Sequence, residues 1–195
     1  MGTHSPQHVA DLVMMARPRT VVDAPVSGSV DAAEAASLLV LAGADAATLE
    51  PVRPVLEAIG AEIVALGRPG AGAAMKLAVN LVIHGLNQSV AEALLLADRL
   101  GIPPATAMDV LQRSAAGAPM LSYRRPQYVD DRSSPVTFAM DLAAKDLGLV
   151  VDLVERLDLS LPQTDVNHAE LVAACAAGLG RRDMAALATH LRERS

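Results

Sequence analysis

From Gly72 to Leu100 the chain runs without a proline, and Gly101 then ends the run. Apolar residues fall on nearly every helical angle of that stretch, which predicts one helix of about eight turns that is buried all round. After it the pattern stays helical. Pro103-Pro104 opens a shorter helix through Gln112, and further helices are expected at about 138–157, 164–178 and 183–193. Between them, residues 115–136 carry Gly117, Pro119, Pro126 and Pro135 and read as a long loop.

The first 68 residues read differently. Ser5 is placed to cap a helix that starts at Pro6 and runs to Met15. Thr20–Asp23, ended by Pro25, and Ser37–Leu41 are strand-like runs. Asp45 caps a second helix carrying Leu49, Val52, Val55, Leu56 and Ile59, Gly60 stops it, and Ala61–Leu66 is a third strand. Three strands and two helices make a poor free-standing domain, so this part reads as the tail of a larger sheet. The expected class is therefore an α/β remnant over residues 1–68 followed by an all-α domain over 69–195, mainly α overall.

Composition narrows the function. Of 195 residues, 52% are apolar and 19% charged, enough core material for a folded chain. With aromatics at 2%, that core must be aliphatic. A net charge of −6 gives no reason to expect nucleic acid or an anionic membrane surface as partner. Cys175 is alone, which excludes an internal disulfide and a cysteine metal cluster, and points to a reducing cytoplasm. The opening MGTHSPQHVADLV lacks the basic-then-apolar pattern of a signal peptide, and the apolar stretches are too interrupted to span a membrane.

Against that apolar background, polar residues in the 72–100 helix need a reason. Lys76, Asn80 and His84 recur every fourth residue and share a face. Lys76 either snorkels to solvent or sits where burial and the positive helix end lower its pKa, which would suit it to proton transfer. Asn80, one turn on, is placed to hold an amine or a hydroxyl, whereas His84 reads first as a core histidine. Gly70-Ala71-Gly72 invites a dinucleotide-binding reading, but the position three residues after Gly72 holds Met75, too large for the tight helix–strand packing that such a turn needs. Asp23–Ser29, DAPVSGS, takes a strand into a turn whose hydroxyl and backbone N–H groups suit a carboxylate, although a plain structural exit reads the same way. Lys145-Asp146 lies mid-helix in FAMDLAAKDL.

In order along the chain, these pieces resemble the β-hydroxyacid dehydrogenases, the group of 3-hydroxyisobutyrate and tartronate semialdehyde reductases related to 6-phosphogluconate dehydrogenase. THSP at Thr3 to Pro6 looks like the segment after the last cofactor-contacting loop. DAPVSGS, continuing to SLLVLAG at Ser37 to Gly43, looks like the substrate-binding signature. GAGAAMKLAVN, Gly70 to Asn80, matches G-x-G-x-x-x-K-x-x-x-N at every fixed position, and FAMDLAAKDL matches the late F…KDL element.

The resemblance implies hydride transfer between NAD or NADP and a small 3-hydroxy acid, with Lys76 as general acid/base and Asn80 orienting the substrate. It implies Ser27, Gly28 and Ser29 at the substrate carboxylate, Thr3 and Lys145 near the cofactor, no metal, and a homodimer. It also implies that residues 1–68 are the last strands of a Rossmann-type domain. The family usually has glycine at the positions of Ser29, Ala32 and Ala36, so strain is expected wherever φ must be positive. No G-x-G-x-x-G and no βαβ unit precede Thr3, so the chain is expected to be an N-terminally truncated member without the phosphate and adenine seats. The contrasting expectation is a non-catalytic helical dimerisation or binding module derived from that family. An imine reductase relative is the third reading, and Lys76 counts against it, because those relatives generally replace the lysine.

Overall fold

A computed structural model describes residues 2–194 of the chain, 64% of it helical. Two compact units make it up, the first reaching to Asn80 and the second starting at Leu81.

In the first unit α1 (Pro6–Ala16) begins as expected, with the Ser5 hydroxyl accepting from the His8 N–H. A three-stranded sheet follows, β1 (Val26–Ser27), β2 (Leu38–Ala42) and β3 (Gly60–Ala65), in the order β1-β2-β3. β1 pairs antiparallel with β2, and β2 parallel with β3. Val40, Ala42, Ala44, Leu49 and Leu56 form its core, with Val22, Val26, Val52 and Ile63 packed around them.

Three expectations change here. Thr20–Asp23 is not a ladder strand: pairing becomes regular only at Val26, after Pro25, which has no N–H to give. Ahead of it, single bonds tie the Asp23 carbonyl to the Gly43 N–H (2.7 Å) and the Pro25 carbonyl to the Leu41 N–H (2.8 Å). A short helix, α2 (Val30–Glu34), follows β1 under a Ser29 cap. The helix expected after Asp45 is broken into α3 (Ala46–Leu49), a 3₁₀ turn (Glu50–Val52) and α4 (Arg53–Glu57), with Pro51 and Pro54 each opening a new segment.

The long helix, α5 (Ala71–Arg99), forms as predicted. It is not buried all round: Met75, Val82 and Leu96, spaced in multiples of seven, are 41%, 65% and 65% exposed. That spacing brings them onto one stripe of the helix.

In the second unit, α6 (Pro104–Arg113) precedes the expected loop, which contains two single-turn helices, α7 (Pro119–Tyr123) and α8 (Arg125–Val129). Both have proline within their first two positions, where a missing N–H costs nothing. α9 (Met140–Arg156) packs along α10 (Pro162–Ala174), and α11 (Leu187–Arg194) completes the bundle. Its aliphatic core includes Leu94, Met108, Leu121, Met140, Leu147, Leu171 and Leu187.

A buried polar lattice threads that core. The Asp183 carboxylate, fully buried, accepts from Arg124 Nη2 (2.5 Å) and from the N–H groups of Thr137 (2.9 Å), Phe138 (3.1 Å) and Ala185 (3.0 Å). Tyr128 donates to Asn87 Oδ1 (2.8 Å), while Asn87 Nδ2 donates to the Met184 carbonyl (3.2 Å). Burial pushes the Tyr128 phenol up, well above the ordinary tyrosine range. Arg124 is thus a core residue, and Arg125 is held by Asp109 (2.8 Å). The third guanidinium of the 115–136 stretch, Arg132, pairs with Glu193 (3.2 Å). Replacing Asp183 by Asn should lower unfolding stability by about 3 kcal/mol or more, because it leaves Arg124 charged and buried without its counter-ion. Urea unfolding checks this, and an unchanged midpoint would contradict it.

Candidate active site

The geometry of the first unit centres on Asp23. Its carboxylate accepts from the Gly70 N–H with Oδ1 and from the Ala73 N–H with Oδ2, both at 2.8 Å. These are groups at the start of α5 that have no partner within the helix. Gly70 cannot cap from its own position, since it has no side chain and lies at φ +85°, so an acid 47 residues earlier does it.

Two glycines make room. A Cβ on Gly43 would lie 2.0 Å from Asp23 Oδ1, and one on Gly72 would lie 2.3 Å from the Leu41 carbonyl and 2.8 Å from Asp23 Oδ2. The same bonds decide the dinucleotide question at this turn. Amides that a phosphate would require at Gly70–Ala73 are already taken by a carboxylate, so this turn does not fit a pyrophosphate.

One turn beyond Ala73 comes Lys76, half-buried. Asn80, 4% exposed, follows on the same face, and its Nδ2 points a long hydrogen bond (3.5 Å) at the Thr3 hydroxyl. Three residues singled out from the sequence, Thr3, Lys76 and Asn80, therefore come together in this unit. A cleft of ≈ 240 Å³ opens here, lined among others by His4, His8, Val9, Asp23, Ala73 and Lys76. The rings of His4 and His8 stack at 4.9 Å on its rim.

The Ser27–Ser29 turn lies where Asp23's own segment leads. Gly28 has φ +154°, and a Cβ there would meet Leu38 Cδ2 at 2.7 Å, so only glycine fits. Ser29 is in an ordinary extended conformation (φ −80°) and caps α2 by accepting from the Ala32 N–H (3.1 Å). Strain from replaced glycines therefore falls at Ala36 (φ +50°), not at Ser29. Lys145 belongs to the second unit, half-exposed on α9, with its Nζ 3.0 Å from the buried Asp146. His84, also in the second unit, is buried with its ring 6.1 Å from that of Phe138.

Two family models match in succession. Residues 1–67 match the NAD binding domain of 6-phosphogluconate dehydrogenase, and residues 70–191 match the NAD-binding of NADP-dependent 3-hydroxyisobutyrate dehydrogenase. The chain belongs to the β-hydroxyacid dehydrogenase family. Among its relatives, a 2-(hydroxymethyl)glutarate dehydrogenase of Eubacterium barkeri is 34% identical over 96% of this chain and 63% of its own length. A 3-sulfolactaldehyde reductase of Escherichia coli K12 is 33% identical over 98% of this chain and 65% of its own. The structure of a 3-hydroxyisobutyrate dehydrogenase from Salmonella typhimurium superposes with a TM-score of 0.88 at 30% identity, covering 96% of this chain and 66% of that one. The chain thus spans a little under two thirds of the curated relatives it matches.

Sequence reasoning in this β-hydroxyacid dehydrogenase family member placed Asp23 at the head of a signature and gave it no task. Its signal was indirect, in Gly43 and Gly72, whose missing Cβ atoms leave the slot for its carboxylate. At Ala36, substitution by glycine should stabilise the fold by ~0.5–1 kcal/mol through relief of the left-handed penalty. A thermal melt reads this, and a lower midpoint for Ala36→Gly would contradict it.

Proposed function

We propose that this chain carries the proton-transfer and substrate-binding part of an NAD(P)-dependent oxidoreductase acting on a small 3-hydroxy acid. The observation that carries the reading is the alignment of Lys76 and Asn80 on one face of α5, with Asn80 bonded to Thr3 beside the Lys76 cleft. NAD or NADP, when bound, supplies or accepts the hydride. What this chain contributes is everything around the hydroxyl. The Lys76 amine takes the proton as an alcohol becomes a carbonyl, and the ammonium returns it in reduction. Asn80 fixes the orientation of that oxygen. The N–H groups and hydroxyls of the Ser27–Gly28–Ser29 turn receive the substrate carboxylate, with Gly28 allowing the close backbone approach. Thr3 and Lys145 are assigned to the cofactor side.

We further place the protein in the cytoplasm as a homodimer. The solvent-facing Met75, Val82 and Leu96 of α5 support self-association. The lone Cys175 accords with a reducing compartment. Among the described residues no helix is long and apolar enough to cross a membrane.

In a protein that joins this chain to a dinucleotide-binding half, Lys76→Ala should lower turnover by about 10²–10⁴-fold with the melting temperature unchanged. Steady-state assay with NADH or NADPH and a 3-hydroxy acid makes the test. Retained turnover would remove Lys76 from the mechanism.

A further inference from the structure

Asp23 sits at a junction. Through its side chain it holds the Gly70 and Ala73 N–H groups, and through its carbonyl it holds the Gly43 N–H. Four residues later the same segment becomes Ser27 and Gly28. One carboxylate therefore fastens the helix that bears Lys76 to the extended segment that leads into the Ser27–Gly28 turn. Ala73 and Lys76 are three residues apart on neighbouring turns of one face, and both line the cleft that Asp23 lines.

We propose that Asp23 is a positioning residue for proton transfer, setting the placement and the charge environment of Lys76 through the first turn of α5. The inference rests on the reading of Lys76 as the proton carrier. A carboxylate bonded to the amides of a helix start opposes the positive field which that end would otherwise impose on a nearby ammonium. The other titratable groups lining the cleft are His4 and His8, from the start of α1 and the residues before it. The slot between Gly43 and Gly72 shows that this carboxylate is accommodated at close quarters, where a Cβ on either glycine would collide with it.

The chain makes the test direct, because Lys76 and Lys145 are its two lysines among sixteen basic residues. Protein labelled with ¹³C-lysine gives two sets of Cε resonances, each reporting one ammonium. In Asp23→Asn, which keeps the shape and removes the charge, the Lys76 titration midpoint should fall by about half a pH unit or more. Lys145 should stay where it is. An unchanged Lys76 midpoint would overturn the proposal.

If Asp23→Asn does not fold, the unaltered chain answers the same question. Across the carboxylate range, the Gly70 and Ala73 amide protons and the Lys76 Cε should share one inflection. Amide protons that titrate without Lys76 following would leave Asp23 a purely structural cap and overturn the proposal. Failure of the oxidoreductase reading would show instead as retained turnover in Lys76→Ala, with the Asp23–Lys76 coupling intact.

Discussion

The first unit depends on one carboxylate meeting two backbone amides. A helix start leaves its first N–H groups without partners inside the helix, and at half-burial those groups must find an acceptor or cost roughly 1–3 kcal/mol each. In this chain the helix opens on Gly70-Ala71-Gly72, which has no side chain able to supply one. Asp23 supplies it from the segment leading into β1, 47 residues earlier. The local sequence consequences follow in turn. Gly43 and Gly72 leave space for the carboxylate, the segment through Pro25 lies against β2, and the chain emerges at Ser27 and Gly28. A helix start that in many α/β proteins would cradle a phosphate is here filled by the protein's own acid.

The second unit solves a related problem with different means. Its core is aliphatic and nearly free of aromatic rings, which gives dense helix packing but little directional information. Direction comes from the lattice around Asp183, where one buried carboxylate gathers a guanidinium and three backbone N–H groups. That lattice pins the residues before α9 to those before α11, as do the bonds from Met140 to the Arg182 carbonyl and from Met184 to the Phe138 carbonyl. Arg124 enters the core with its two terminal nitrogens engaged, Nη1 by the Thr137 hydroxyl and Nη2 by the Asp183 carboxylate.

Local signals in the sequence were sufficient for what local interactions decide. The Ser5 and Asp45 caps, the 29-residue α5 and the helical second half all rest on contacts within a few residues, and the structure has them. The segment after Asp45 reads as one helix because its apolar spacing is helical, yet Pro51 and Pro54 divide it. Loop and helix start share a signal at Pro119 and Pro126, which is why α7 and α8 were hidden in an expected loop. α5 looks buried all round because its composition is apolar all round, whereas the single chain leaves the Met75–Val82–Leu96 stripe to solvent. At the site, Lys76 and Asn80 are legible from helical spacing and Thr3 only from resemblance. Asp23's task is written in neither, since its partners are backbone amides, which carry no residue identity. Lysine usage itself adds weight: fourteen of the sixteen basic residues are arginine, which stays charged, so a lysine at this helix start brings in a group able to give up its proton.

The central claim is that the Lys76 amine moves the substrate proton. Chemical rescue tests it most directly, by supplying small primary amines to the Lys76→Ala enzyme in which the side-chain amine has been removed. Turnover should return in proportion to amine concentration and rise along the amine series with basicity, as general acid–base catalysis requires. Turnover that no amine restores, in a variant that still folds and binds substrate, would contradict the account.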